Sequence, residues 1–247
     1  MPDVLGYRAK MAVIIPSTNT IVEADFNALR VPGVTFHAGR MHIAQPRLST
    51  DADFEHLLEQ VDRAFEVALR DVLTCKPDVL VMGMSAPTFW GGRSGNEAFL
   101  ARASRLAGIP VTTGAQSCAE GLTALGARRI AVLTPYQPIM REQIVRFFEE
   151  SGFEVPRYED LRCPSATAIA EVTEDTLRAV LRRLDGDDLD AIVQAGTNLS
   201  MVRLAAEAER WLAKPVVAIN AATVWRAYRS NGITERIPNA GTLLERL

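Results

Sequence analysis

The chain has 247 residues, 48% of them hydrophobic and 23% charged, with a formal net charge of −3 at neutral pH. That balance belongs to a chain that buries its own core, and it excludes an intrinsically disordered segment. The 27 basic residues are scattered along the sequence, so nucleic acid and anionic membrane are not expected partners and a small molecule is.

Taken in chain order, the first apolar run covers only residues 11–15, too short for a signal-peptide core or a membrane span, so a cytoplasmic location is expected. It lies in KMAVIIPSTNT (10–20), which reads as a short buried strand ending in a proline-marked turn. Glu23 and Asp25 then begin a helix, where acidic residues suit the helix dipole. His37 and His42 fall in a strand-like stretch beyond it; with His56 they lack metal-ligand spacing, and no metal site is expected. Residues 52–73 repeat apolar side chains at helical spacing, among them Phe54, Leu57, Leu58, Val61, Phe65 and Leu69, with Ser49, Thr50 and Asp51 as capping candidates. DVLVMGMSAPTF (78–89) is a strand closed by small and hydroxyl residues, and IPVTTGAQSCAEGL (109–122) is a proline-led strand running into a helix.

The second half repeats this order. RIAVLTPYQPI (129–139) matches 10–20, DAIVQAGTNLSM (190–201) matches 78–89, and KPVVAINAATVWRA (214–227) matches 109–122. Helices are predicted over 138–152, with proline near the start and glycine at the end, and over 173–184, with Thr173 as N-cap. Short apolar strands alternating with helices imply parallel βαβ units. The expected fold class is therefore α/β, with two similar lobes related by a pseudo-two-fold axis, each a short parallel sheet flanked by helices. The first lobe is placed at residues 1–115, with 226–247 packing back on it, and the second at 116–225.

Open parallel sheets bind ligands beyond the carboxyl ends of their strands. The segments there are PSTNT, GMSAPTFWGG, TGAQS, TPYQP, AGTNLS and INAAT, all without charge and rich in hydroxyl, amide and glycine residues. Such a lining holds an anion through N–H groups, hydroxyls and helix N-termini.

PSTNTIVEADF, GMSAPTFWGG, TPYQP and AGTNLS, set in two matching lobes, resemble the aspartate/glutamate racemase superfamily, and within it the maleate cis-trans isomerase and arylmalonate decarboxylase group. The resemblance implies an enzyme without cofactor or metal that binds a small carboxylate between the lobes and acts at the carbon beside it. It also implies a homo-oligomer of two or more copies. The family moves protons or forms adducts with cysteines, which the resemblance places at Gly83 or Met84 and at Gly196, and this chain has cysteine at none of them. A second family asparagine would fall near Ala166. Carried over residue by residue, Ser17, Asn19, Gly83, Met84, Ser85, Tyr136, Gly196, Thr197 and Asn198 are the expected substrate-binding positions.

An acid or base must then come from elsewhere in the chain. Tyr136 offers a phenol at a strand end, as acid or as oxyanion donor. Cys118 opens the helix after TGAQS, where the helix dipole would favour a thiolate, so it is the candidate displaced thiol. Cys163, before Pro164, ranks below it, and Cys75 belongs to the opposite end of the sheet. Glu23 is expected to orient the PSTNT turn, and Phe89 and Trp90 to form an apolar wall for the substrate. The reaction expected is isomerase-, decarboxylase- or racemase-like. The alternatives are hydrolysis or elimination on the same scaffold, or carboxylate binding without catalysis.

Overall fold

The computed structural model describes residues 3–44 and 47–247. The first half forms β1 (Ala9–Pro16), α1 (Val22–Ala28), β2 (Val34–Met41), α2 (Asp51–Leu73), β3 (Val79–Met82), α3 (Ala86–Phe89), α4 (Gly92–Ala107), β4 (Val111–Thr112) and α5 (Gly114–Ala124). The second forms β5 (Arg129–Thr134), α6 (Ile139–Glu150), β6 (Glu154–Asp160), a 3₁₀ turn (Ala168–Glu171), α7 (Glu174–Leu184), β7 (Ala191–Gln194), α8 (Val202–Leu212), β8 (Val216–Ala218), α9 (Ile219–Ser230) and α10 (Thr242–Arg246). The strands pair in parallel in the orders β2-β1-β3-β4 and β6-β5-β7-β8, one order used twice. The chain is thus an α/β protein of two similar lobes.

The sequence repeat has a backbone cause. Asp78 accepts from the Lys10 N–H at 2.7 Å, and its own N–H donates to Lys10 O at 2.8 Å. Asp190 does the same in the second sheet, accepting from the Arg128 and Arg129 N–H groups at 2.8 and 2.7 Å and donating to Arg129 O at 2.8 Å. Each aspartate pins the entry of the third strand onto that of the central one, using donors left free at a strand start.

Helix boundaries follow their caps. Thr50 and Asp53 form a capping box at the start of α2, whose apolar face buries Val61, Phe65 and Leu69 against the first sheet. Thr173 caps α7 by accepting from the Thr176 N–H. Pro138 precedes α6, and Gly152 beyond its end takes φ +92°, where a side chain would be strained. The helices after the last strand of each lobe cross over: α9 packs on α1, α5, β3 and β4, and α5 reaches β8. The lobe limits placed at 115/116 and 225/226 fall inside these two helices. Among the described residues no helix is long and apolar enough to cross a membrane.

Candidate active site

The loops that leave the carboxyl ends of β1, β3, β5 and β7 converge on a cavity of about 60 Å³. No described residue lining it is charged. One side is apolar, built from Leu57, Leu58 and Val61 of α2 together with Leu48, Met84, Pro87 and Ile169. The other is polar and joins the two lobes.

The polar side is a chain of hydrogen bonds. The Thr197 N–H donates to Ser85 Oγ at 3.2 Å, and Ser85 Oγ shares a short bond with the Tyr136 hydroxyl. Asn19 Nδ2 donates to Thr197 Oγ1 at 3.3 Å, while its Oδ1 accepts from the Ile21 and Val22 N–H groups, each at 3.0 Å, which closes the first turn of α1 and fixes the amide. Asn198 accepts from the Thr20 N–H at 3.0 Å and donates to Ala166 O at 2.8 Å. Two turns from different lobes are thereby locked in register.

Tyr136 is held from behind by Phe54, whose ring meets it edge-on at 5.6 Å between centroids. Burial pushes its phenol up to about 12, against the downward pull of the Ser85 and Ala86 hydrogen bonds. At neutral pH it is an uncharged donor. Glu23 braces the β1–α1 turn from outside through Arg40, whose guanidinium also donates to the carbonyls of Ser17 and Asn19 at 3.3 and 3.2 Å.

Asn19, Met84, Ser85, Tyr136, Thr197 and Asn198 therefore line the cavity, as their strand-end positions suggest. Ser17, Gly83 and Gly196 do not. Ser17 Oγ accepts from the Ile43 N–H at 3.0 Å instead. The two glycines are closed in by neighbours: a Cβ on Gly83 would meet Ile15 Cγ1 at 2.9 Å, and one on Gly196 would meet Pro135 Cδ at 2.4 Å.

Two expectations need correction. Cys118 is fully buried in the core and outside the lining, and burial drives its thiol far above the ordinary range, the opposite direction to that expected from the helix dipole. Phe89 is not a wall of the site; it is fully buried against Phe147 and Phe148 at 5.1 and 5.7 Å, and Trp90 stacks on Phe54 at 6.3 Å outside the lining. The wall comes from α2, whose apolar stripe the sequence presents as core.

Cys163 is also buried, its thiol raised to about 11 by desolvation, with Gln137 Nε2 donating to its carbonyl at 3.1 Å. The Cys75 thiol donates to Val72 O at 3.1 Å at the end of α2, away from the cavity. Among the described residues, no three His, Cys, Asp or Glu side chains gather to hold a metal. Sequence reasoning also passed over Asp25 and Asn220 as a pair; Asn220 belongs to the INAAT segment, but nothing in the sequence says that the two meet.

Comparison with known proteins agrees with this architecture. The model of the arylmalonate decarboxylase family matches residues 11–244. A maleate isomerase of Nocardia farcinica is 30% identical over 97% of this chain and 96% of its own, and one of Pseudomonas putida is 27% identical over 95% and 96%. A maleate isomerase of Pseudomonas putida S16, solved with maleate, superposes with a TM-score of 0.86 at 26% identity, covering 96% of this chain and 97% of that one. The chain belongs to the arylmalonate decarboxylase family and is an enzyme of the isomerase or decarboxylase kind.

Proposed function

We propose that the interlobe cavity binds a small mono- or dicarboxylate bearing an apolar group, and that the protein, a cytoplasmic enzyme without cofactor, acts at the carbon beside that carboxylate. The observation that carries this reading is the uncharged lining, with Ser85, Tyr136, Thr197 and Asn19 converging from both lobes opposite an apolar wall. Neutral donors in a dry site stabilise negative charge where it develops without fixing a counter-ion. The wall of Leu48, Leu57, Leu58 and Val61 gives an alkyl or aryl substituent somewhere to lie.

On this reading the family cysteines have no counterpart here. Gly83 and Gly196 cannot take a side chain without moving their neighbours, Met84 carries no nucleophile, and Cys118 and Cys163 lie outside the lining. Decarboxylation suits what remains. Loss of CO₂ from a malonate-type acid leaves its electron pair on the α-carbon, delocalised into the second carboxylate as an enediolate. Tyr136 then gives the α-carbon its proton and the phenolate recovers one from water. Cis-trans isomerisation, the activity of the maleate isomerases the chain resembles, is the second reading. It needs a nucleophile added to the double bond, and the described lining offers hydroxyls but no thiol.

The test is turnover in D₂O followed by proton NMR, with aryl- and alkylmalonates and with maleate. A decarboxylated acid carrying one deuterium at the α-carbon is expected. Fumarate from maleate would favour the second reading. Failure of every carboxylate to react or to perturb the protein spectrum would overturn both.

A further inference from the structure

Behind Thr197 lies a polar pair outside the cavity lining. Asn220, near the start of α9 and 2% exposed, donates through Nδ2 to two acceptors: Asp25 Oδ2 of α1 at 2.8 Å and Thr197 O at 3.0 Å. Its Oδ1 is buried with no partner. Only the NH₂ end of an amide can serve two acceptors, so an ionised Asp25 fixes which way Asn220 points. Thr197 is then held through both of its backbone groups, its carbonyl by Asn220 and its N–H on Ser85 Oγ at 3.2 Å.

We infer that Asp25, acting through Asn220, is a positioning residue for the Thr197 peptide, gripping it when the carboxyl is ionised and releasing it when the carboxyl is protonated. A protonated Asp25 carries an O–H that must find an acceptor, and the unpartnered Oδ1 is the other end of the same Asn220 amide. A half-turn of the amide satisfies Asp25 and takes Nδ2 away from Thr197 O. The value of this grip to catalysis rests on the carboxylate-site reading above.

The neighbours of Asp25 leave it the one titrating group in the device. α1 packs on α9 and β2. Glu23 on its own helix pairs with Arg40 of β2, and His37 of β2 bonds to Thr35 at 2.9 Å. On α9, Arg226 pairs with Glu120, Arg229 donates to the carbonyls of Ile233 and Leu247, and the Tyr228 hydroxyl donates to Leu29 O. Burial pushes the Asp25 carboxyl up to about 6, the Asn220 bond pulling it down, and no neighbouring charge contributes.

The experiment follows the Thr197 amide resonance of the ¹⁵N-labelled full chain from pH 5 to 8. In the wild type it is expected to move with a midpoint near 6. In Asp25→Asn, a near-isosteric change whose side-chain oxygen accepts from Asn220 at every pH, it is expected to stay at the wild-type high-pH position. Asn220→Ala should hold it at the released position throughout. With a substrate in hand, Asn220→Ala should lower kcat by about tenfold to a hundredfold, with a smaller change in KM. Asp25→Asn should lose the acid limb of the pH profile. A wild-type amide that does not move, or the same midpoint in Asp25→Asn, overturns the inference. Because that signal needs no substrate, absence of turnover counts against the carboxylate site and not against this device.

Discussion

The two lobes carry the same strand-end loops and use them differently. Ser17 and Tyr136 each follow the proline that ends or succeeds a central strand, β1 or β5. Ser17 turns outward to hold the Ile43 N–H, whereas Tyr136 reaches into the cavity. Ser85 and Thr197 each stand three residues beyond paired positions at the ends of β3 and β7, Met82 and Gln194, and they bond to one another. The helices that close each lobe differ most. α5 starts on a side-chain cap, Thr113, which also receives Asn96 Nδ2 at 3.1 Å, while α9 has no side-chain cap and spends Asn220 on Thr197 and Asp25. The repeat therefore fixes where groups can converge, and the proposed chemistry falls to the positions at which the copies diverge.

The largest expected effect separates Tyr136 from Ser17. Tyr136→Phe keeps the ring against Phe54 and removes the donor, so kcat/KM on the active carboxylate should fall by about 10²- to 10³-fold. Ser17→Ala should leave kcat/KM within about a factor of three, since its hydroxyl bonds backbone outside the cavity. Steady-state kinetics of the two variants side by side would break the comparison if both lost activity equally.

Next comes stability at α9. Asp25 ionises at about 6 in the fold, above the ordinary carboxylate value of about 3.9 for an unfolded chain. Folding thus binds a proton, and the stabilisation present below pH 4 is lost as pH rises through 6. Asp25→Asn should gain on the order of 2 kcal/mol over the wild type at pH 8 and nothing at pH 4, read as urea midpoints at each pH. A gain independent of pH would show that Asp25 ionises normally.

At α5 the expected change is smaller. Thr113→Ala removes the cap and the Asn96 partner, for a loss of about 1–2 kcal/mol in urea unfolding that does not depend on pH. The smallest effect is at Cys118: native protein treated with iodoacetamide at pH 8 should be alkylated at Cys75 and not at Cys118, by peptide mass spectrometry. Rapid labelling of Cys118 would mean that the helix is open.

Much of the fold was legible because burial imposes periodicity. The apolar runs at 11–15 and 130–133, the paired Asp78 and Asp190, and the cap at Thr173 are local signals for local structure. The cavity was legible where it follows from strand ends, as with Asn19, Ser85, Tyr136 and Thr197. It was not legible where one pattern serves two purposes. Leu57, Leu58 and Val61 have the spacing of any core-facing stripe, and only the tertiary arrangement leaves a void beside them. Cys118 failed for a related reason, because sequence shows nearness to a helix start and does not show burial. Asp25 and Asn220 lie far apart in the chain and meet only because α9 crosses onto α1.

The polar side of the cavity is a chain of groups that satisfy each other: Asn19 with Thr197, Thr197 with Ser85, Ser85 with Tyr136. On the carboxylate reading a ligand breaks into that chain, and an ester or amide of the same shape would exchange one neutral hydrogen bond for another of equal strength. A carboxylate gains charge-assisted bonds about twice as strong. On the carboxylate reading the chain would thus act as a filter against uncharged look-alikes without a positive side chain, and since no ion pair is involved, that discrimination should survive at high salt.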